Sequence, residues 1–245
     1  EDKATVLTEH ERIIAAVLPL HAELWESGQI EVTTTPLAHP ILPLIADTSL
    51  ATVGDPTAQL PANRFRQLPD AVEHVTRGLD EAERLLGQRP TGMWPGEGSV
   101  AQLVMNVFGS EGVEWVATGE DVLAKTLDIG SFTRDSNDLV QETATLYSMY
   151  EAQTSGDGVA MFFRDVVLAD RIGFEYSGTD ANVAADDFMA RLNDINNALE
   201  AAEVEGPKVV TVVVDGENAW EHYPNDGIDF LNALYSRLTE SDLVR

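Results

Sequence analysis

Lys208-Val209-Val210-Thr211-Val212-Val213-Val214-Asp215-Gly216-Glu217-Asn218-Ala219-Trp220-Glu221-His222-Tyr223 is a β-branched run that halts at an acid and opens into acids and aromatics. A stretch with so little polar surface suits a strand buried on both faces of a parallel sheet. In parallel α/β folds the functional groups gather at the C-terminal ends of the strands, which is where Asp215 stands. A proton donor works best beside apolar walls, and such a strand supplies them. Spacing alone leaves open whether Asp215 or Glu217 would give the proton. The competing reading is a turn aspartate followed by a loop of surface acids.

Upstream, helices and strands alternate. Glu9 to Glu26 carries a helical stripe of Ile13, Ile14, Val17, Leu18, His21, Leu24 and Trp25, stopped at Ser27-Gly28. Ile30 to Thr35 reads as a short strand closed by Pro36 and Pro40. Pro69-Asp70 opens a helix ended by Gly87, and Thr91 to Trp94 reads as a strand end. A helix over Ser99 to Phe108, a strand over Glu114 to Thr118 and a short helix around Asp121 to Leu127 follow. Strands are expected at Leu146 to Tyr150 and Val159 to Phe163, on either side of Ser155-Gly156-Asp157-Gly158. Helices are expected at Asp165 to Ile172, Asp180 to Ala202 and Asp226 to Thr239. Without a dinucleotide glycine fingerprint, this alternation favours a parallel barrel or an open doubly wound sheet. No repeat or linker divides residues 1–245, so a single domain is expected.

The bulk numbers narrow the function classes. A net charge of -27 with only Lys3, Lys125 and Lys208 as lysines would repel nucleic acid and anionic lipid. The same surface fits work in high salt, where screening removes self-repulsion. There is no cysteine, which excludes disulfides, thiolate catalysis and cysteine metal sites. No apolar run approaches the ~20 residues of a membrane span, and no signal-peptide pattern opens the chain; the cytoplasm is the expected compartment.

Two further segments place carboxylates near strand ends. In Thr91-Gly92-Met93-Trp94-Pro95-Gly96-Glu97-Gly98-Ser99, Glu97 stands on a Gly/Pro turn beside the flat face of Trp94. A sugar offers C–H groups on its faces and hydroxyls at its rim, so an aromatic plane next to a carboxylate suits it. The alternative is that Glu97 stabilises the start of the following helix. In Gly28-Gln29-Ile30-Glu31-Val32-Thr33-Thr34-Thr35-Pro36-Leu37-Ala38-His39-Pro40-Ile41-Leu42, Glu31 lies on the strand and His39 follows it. His39 could be a metal ligand, a sugar partner or a satisfied loop histidine. The five histidines show no pair at metal-ligand spacing on a strand end, which argues against a metal-dependent deacetylase or mannosidase.

Taken together, the three segments resemble the second, third and fourth of five short signature regions of glycoside hydrolase family 57, in order. Phe162-Phe163-Arg164-Asp165 through Ile172-Gly173-Phe174, and Tyr223-Pro224-Asn225-Asp226-Gly227, resemble stretches of its amylase-like and amylopullulanase-like members. The resemblance implies an α/β fold, an incomplete seven-stranded parallel (β/α) barrel similar to a TIM barrel. It implies retaining hydrolysis of α-glucan bonds, such as those of starch or glycogen, through a covalent glycosyl-enzyme, with no metal or organic cofactor. Glu97 matches the nucleophile and Asp215 the acid/base. Glu31, Trp94 and Glu217 match residues lining the sugar cleft, with His39 and Trp220 as neighbours. Glu97 and Asp215 are expected to face each other across that cleft. The family's first region, including the first strand, is expected upstream of Glu1, and the fifth downstream of Arg245. A 4-α-glucanotransferase, a branching enzyme or a non-catalytic glucan-binding fragment is the alternative.

Overall fold

The computed structural model describes residues 2–216 and 220–244, which leaves Glu217 outside the described residues. The chain forms two compact units: Glu1–Thr118 with Glu151–Met161, and Gly119–Tyr150 with Phe162–Arg245.

The first unit opens with α1 (Asp2–Glu26), followed by α2 (Leu42–Ala46), α3 (Ala51–Gly54) and α4 (Leu68–Leu86). β1 (Gly92–Met93), α5 (Gln102–Ser110) and β2 (Trp115–Gly119) come next. α4 shows why these residues fold as they do. Pro69 lies in its first turn, where a missing N–H costs nothing. Gly87 ends it in the left-handed region at φ 81°, its N–H donating to Glu83 O. Between them Ala71, Val75, Gly78 and Leu79 fall on one face and are buried. That face packs with Leu42 of α2, Met93 of β1 and Phe108 of α5. Burial of Val75 and Leu79 stabilises the fold by ~2 kcal/mol each. The expected stripe of α1 forms a helix, but none of its residues is buried, and Ile14 is 71% exposed.

The second unit contains α6 (Glu120–Thr126), α7 (Thr143–Leu146), α8 (Val166–Asp170), α9 (Ala181–Ala201) and α10 (Ile228–Glu240). α9 begins at an Asp180 side chain that accepts from the Asn182 and Val183 N–H groups. It buries Ala184, Ala185, Phe188, Leu192, Ile195 and Leu199. α10, which packs against it, buries Phe230 and Leu234.

With β3 (Tyr150–Ala152) and β4 (Val159–Arg164), the sheet has the order β1-β2-β4-β3. β1 and β2 are parallel, Gly92 opposite Trp115 and Met93 opposite Val116. Two expected strands enter only through isolated bridges. Thr34 meets Met93, Thr211 meets Arg164 and Lys208 meets Ser148. The expectation for Lys208 to Val214 is corrected here: Val209 to Val214 are half-buried, not enclosed on both faces. Valines favour extended backbone, but a strand also needs a partner in register, and this run meets its neighbours through isolated bridges, with Val209 N–H donating to Tyr147 O and Asp165 N–H to Thr211 O. The strand expected at Leu146 to Tyr150 gives way to α7 and the shorter β3. The structure is α/β with four strands among the described residues.

Candidate functional site

Past the end of β1, the chain makes one tight turn that presents Glu97. Gly98 N–H donates to Pro95 O at 2.8 Å and Ser99 N–H to Gly96 O at 2.9 Å. Glu97 sits in the left-handed region at φ 50°, ψ 29°, a conformation that costs a non-glycine residue ~1–3 kcal/mol. Gly96 permits it: a Cβ there would run into the Pro40 carbonyl. The turn is therefore pressed against a second loop in which Ala38 (φ 62°) and His39 (φ 51°) are also left-handed. Three left-handed non-glycine residues thus meet at one contact.

His39 Nε2 lies 3.4 Å from the Glu97 carboxylate and 3.4 Å from the Glu97 backbone N, and His39 Nδ1 is 2.7 Å from the Thr35 hydroxyl. The carboxylate is 78% exposed, open to a ligand. Trp94 is half-buried and its ring lies over Gly98, where a Cβ would come 3.0 Å from Cη2. Glu97 does not serve the next helix, because α5 starts at Gln102 with Ala101 as its cap. His39, Trp94 and Glu97 are thus together.

Glu31 lies elsewhere in the same unit. It precedes the bridging Thr34 by three residues and accepts a 2.9 Å hydrogen bond from the Trp115 indole, at the start of β2. That ring also covers Gly92, where any side chain would collide with it.

In the second unit Asp215 is exposed, which corrects the expectation of an acid enclosed by its strand. Trp220 is half-buried, its ring 5.4 Å from Tyr223, which stacks at 5.4 Å on Phe230. Gly227 makes room for that indole. Burial pushes the Tyr223 phenol up to about 12, and its O–H donates to Ile172 O. Nearby, Asp165 is 1% exposed, caps α8 and accepts from the Tyr147 hydroxyl at 2.6 Å. Arg134 ties Asp165 (3.2 Å) to Glu120 (2.6 Å). Burial, reinforced by the Asp165 charge, pushes the Tyr147 phenol far up. Among the described residues no group of three or more His, Asp or Glu could hold a metal ion. No helix among them is long and apolar enough to cross a membrane.

The family model of glycosyl hydrolase family 57 matches residues 4–245. The chain belongs to that family. No curated protein matches it. Among solved structures, the family 57-type branching enzyme of Pyrococcus horikoshii superposes with a TM-score of 0.64 at 16% identity, over 96% of this chain and 47% of that one. The α-amylase AmyC of Thermotoga maritima gives 0.62 at 15% identity, over 98% and 52%. The 4-α-glucanotransferase of Thermococcus litoralis gives 0.59 at 19% identity, over 93% and 29%. The family 57 chain spans about half or less of each of these chains.

Two residues of the site were not singled out from sequence. Thr35 precedes His39 by four positions, but only the folded loop turns its hydroxyl onto the ring. Trp115 opens a strand opposite a glycine, a pairing that sequence reveals only once the register is known.

Proposed function

We propose that this chain carries the reacting carboxylates of a retaining α-glucan-active enzyme, with Glu97 as nucleophile and Asp215 as acid/base. The observation that carries it is an exposed Glu97 carboxylate, held on a strained turn against His39, in a family 57 chain. Glu97 would attack the anomeric carbon while Asp215 protonates the departing oxygen, giving a β-linked glycosyl ester. Asp215 would then take a proton from water as it opens that ester, restoring the α configuration; retaining pairs stand ~5–5.5 Å apart. Because Asp215 is exposed in the free chain, the bound glucan itself would have to exclude water from it.

Trp94 and His39 would hold the sugar beside the nucleophile, with Trp220 and Glu217 on the acid/base side. Glu31, bonded to Trp115 at the start of β2, would serve a more remote subsite. In this reading the four strands belong to the incomplete seven-stranded barrel, and residues 1–245 act as one catalytic domain in the cytoplasm. Hydrolysis is preferred to glucan transfer, on the amylase-like Asp215-to-Glu221 run.

The test is azide rescue. Asp215→Ala should spare aryl α-glucosides with acidic phenols, and azide should yield the α-glucosyl azide, since it attacks opposite Glu97. Glu97→Ala should lower turnover by at least ~10⁴-fold, and azide standing in for the lost carboxylate should give the β-glucosyl azide. The opposite stereochemistry would swap the two roles, and unchanged turnover in both variants would sink the proposal. The net charge of -27 also suits strong brine. An unfolding midpoint that fails to rise between dilute buffer and molar KCl would remove that reading.

A further inference from the structure

Between α8 and α9 the chain makes one π-helical turn, Arg171–Glu175, in which Tyr176 N–H donates to Arg171 O five residues back. Single π turns are rare and concentrate at functional sites. The residues around this one are tied down. The Arg171 guanidinium pairs with Asp138 at 2.6 Å and with Glu175 at 2.7 Å. Ile172 is buried, and its carbonyl accepts from the Tyr223 hydroxyl. Tyr176, just past the turn, is buried, stacks on Phe230 and donates to Asp187 at 2.6 Å. Phe174 does the opposite: it is 78% exposed.

We propose that Phe174 is a stacking platform for a sugar ring of the α-glucan, on the acid/base side of the site. Its place there rests on the reading of Asp215 as acid/base. The hydrogen bond from Tyr223 to Ile172 ties the turn to the end of the segment that begins at Asp215. Tyr223 also carries the Trp220 ring, 5.4 Å away. Phe174 therefore stands on the same assembly as the indole offered to sugar on that side. An aromatic face is electron-rich, and the C–H groups on a pyranose face carry the complementary partial charge. A ring on a turn anchored at both ends has little freedom left to lose on binding.

Gly173 fits the same purpose. Its backbone is not left-handed, and an added Cβ would meet nothing within 4 Å. Neither conformation nor room asks for glycine there. What the glycine does is leave the approach to Phe174 without an adjoining side chain. On the other side Glu175 is exposed. A flat ring between a glycine and a carboxylate offers what a pyranose needs, an apolar face with a hydrogen-bond acceptor near its rim. The start of the turn is held as well, since Arg164 pairs with Asp170 at 2.8 Å. Support of this kind keeps a binding group within the narrow range that recognition needs.

The experiment titrates maltoheptaose calorimetrically into the full chain carrying Glu97→Ala, and measures KM for the same sugar with Glu97 intact. Phe174→Leu should weaken binding about tenfold, the scale of one lost stacked ring, and raise KM to match. Phe174→Tyr keeps the aromatic face and should bind within about twofold of the parent. If Phe174→Leu does not fold, Phe174→Ala takes its place in the same measurements. Binding within about twofold in Phe174→Leu overturns the proposal, as does a Phe174→Tyr that loses as much as Phe174→Leu, or a parent that binds no maltoheptaose. A Phe174→Leu chain whose unfolding midpoint or molecular mass in solution shifts also overturns it, because the ring would then be covered by protein and not by sugar. Weaker binding with an unchanged KM removes Phe174 from the acid/base side. Asp215→Ala, assayed alongside, separates the two claims. Unchanged turnover there ends the acid/base reading, while the titration alone still decides whether Phe174 stacks on glucan.

Discussion

Glu97 leaves a backbone that is fixed at every point, between two glycines, against Pro40 and beside two other left-handed residues. Asp215 leaves a half-buried valine run that is anchored through Tyr147 O, which accepts from Val209 N–H, and Asp165 N–H, which donates to Thr211 O. The first carboxylate is aimed by its main chain; the second ends a run that those two anchors hold in place. A nucleophile must meet one carbon along one line, whereas a proton donor tolerates a wider approach. The contrast suits the proposed division of roles.

If the Asp215 run depends on its anchors, the group beneath them is where it breaks most easily. Arg134→Met leaves the buried Asp165 and the half-buried Glu120 side by side without their cation, and Asp165 is the residue that holds both Tyr147 and the start of α8. Loss of ~3–5 kcal/mol is expected in urea unfolding, because a broken buried pair leaves its charge uncompensated. A loss under ~1 kcal/mol would mean that the anchors stand without Arg134.

Gly96→Ala is the matching break on the other side. The new methyl meets the Pro40 carbonyl, and ~1–3 kcal/mol of stability should go with the separation of Glu97 from His39. Gly216→Ala, next to Asp215, is the smallest change. A Cβ there meets nothing within 4 Å, so stability should stay within ~0.5 kcal/mol. Equal costs at the two glycines would erase the comparison.

Elements that depend on local chemistry were legible in the sequence. α4 and α9 follow from a periodic apolar face, a proline or aspartate at the start and, for α4, a glycine at the end. The Gly-Glu-Gly turn announced itself, because glycines around an acid mean close backbone approach. Pairing between distant segments was not legible. Lys208 to Val214 has the composition of a central strand, yet composition reports only a preference for extended backbone. The α1 stripe misled in the same way: periodicity gives the helix, but nothing local tells which surface will cover it. Thr35 and Trp115 were missed because hydroxyls and indoles acquire their roles from what lies across space.

The interleaving of the two units sets an order on synthesis. Val159 belongs to the first unit's core, and Ala160 N–H bonds Glu114 O, so that unit lacks a wall until residues 151–161 have been made. Between Thr118 and Met161 the ribosome adds 43 residues, most of them destined for the second unit. At ~5–20 residues per second that interval lasts roughly 2–9 s. During it Met93, Val116 and Phe108 line an uncovered surface, a window in which a nascent chain is open to chaperones or to a neighbouring copy.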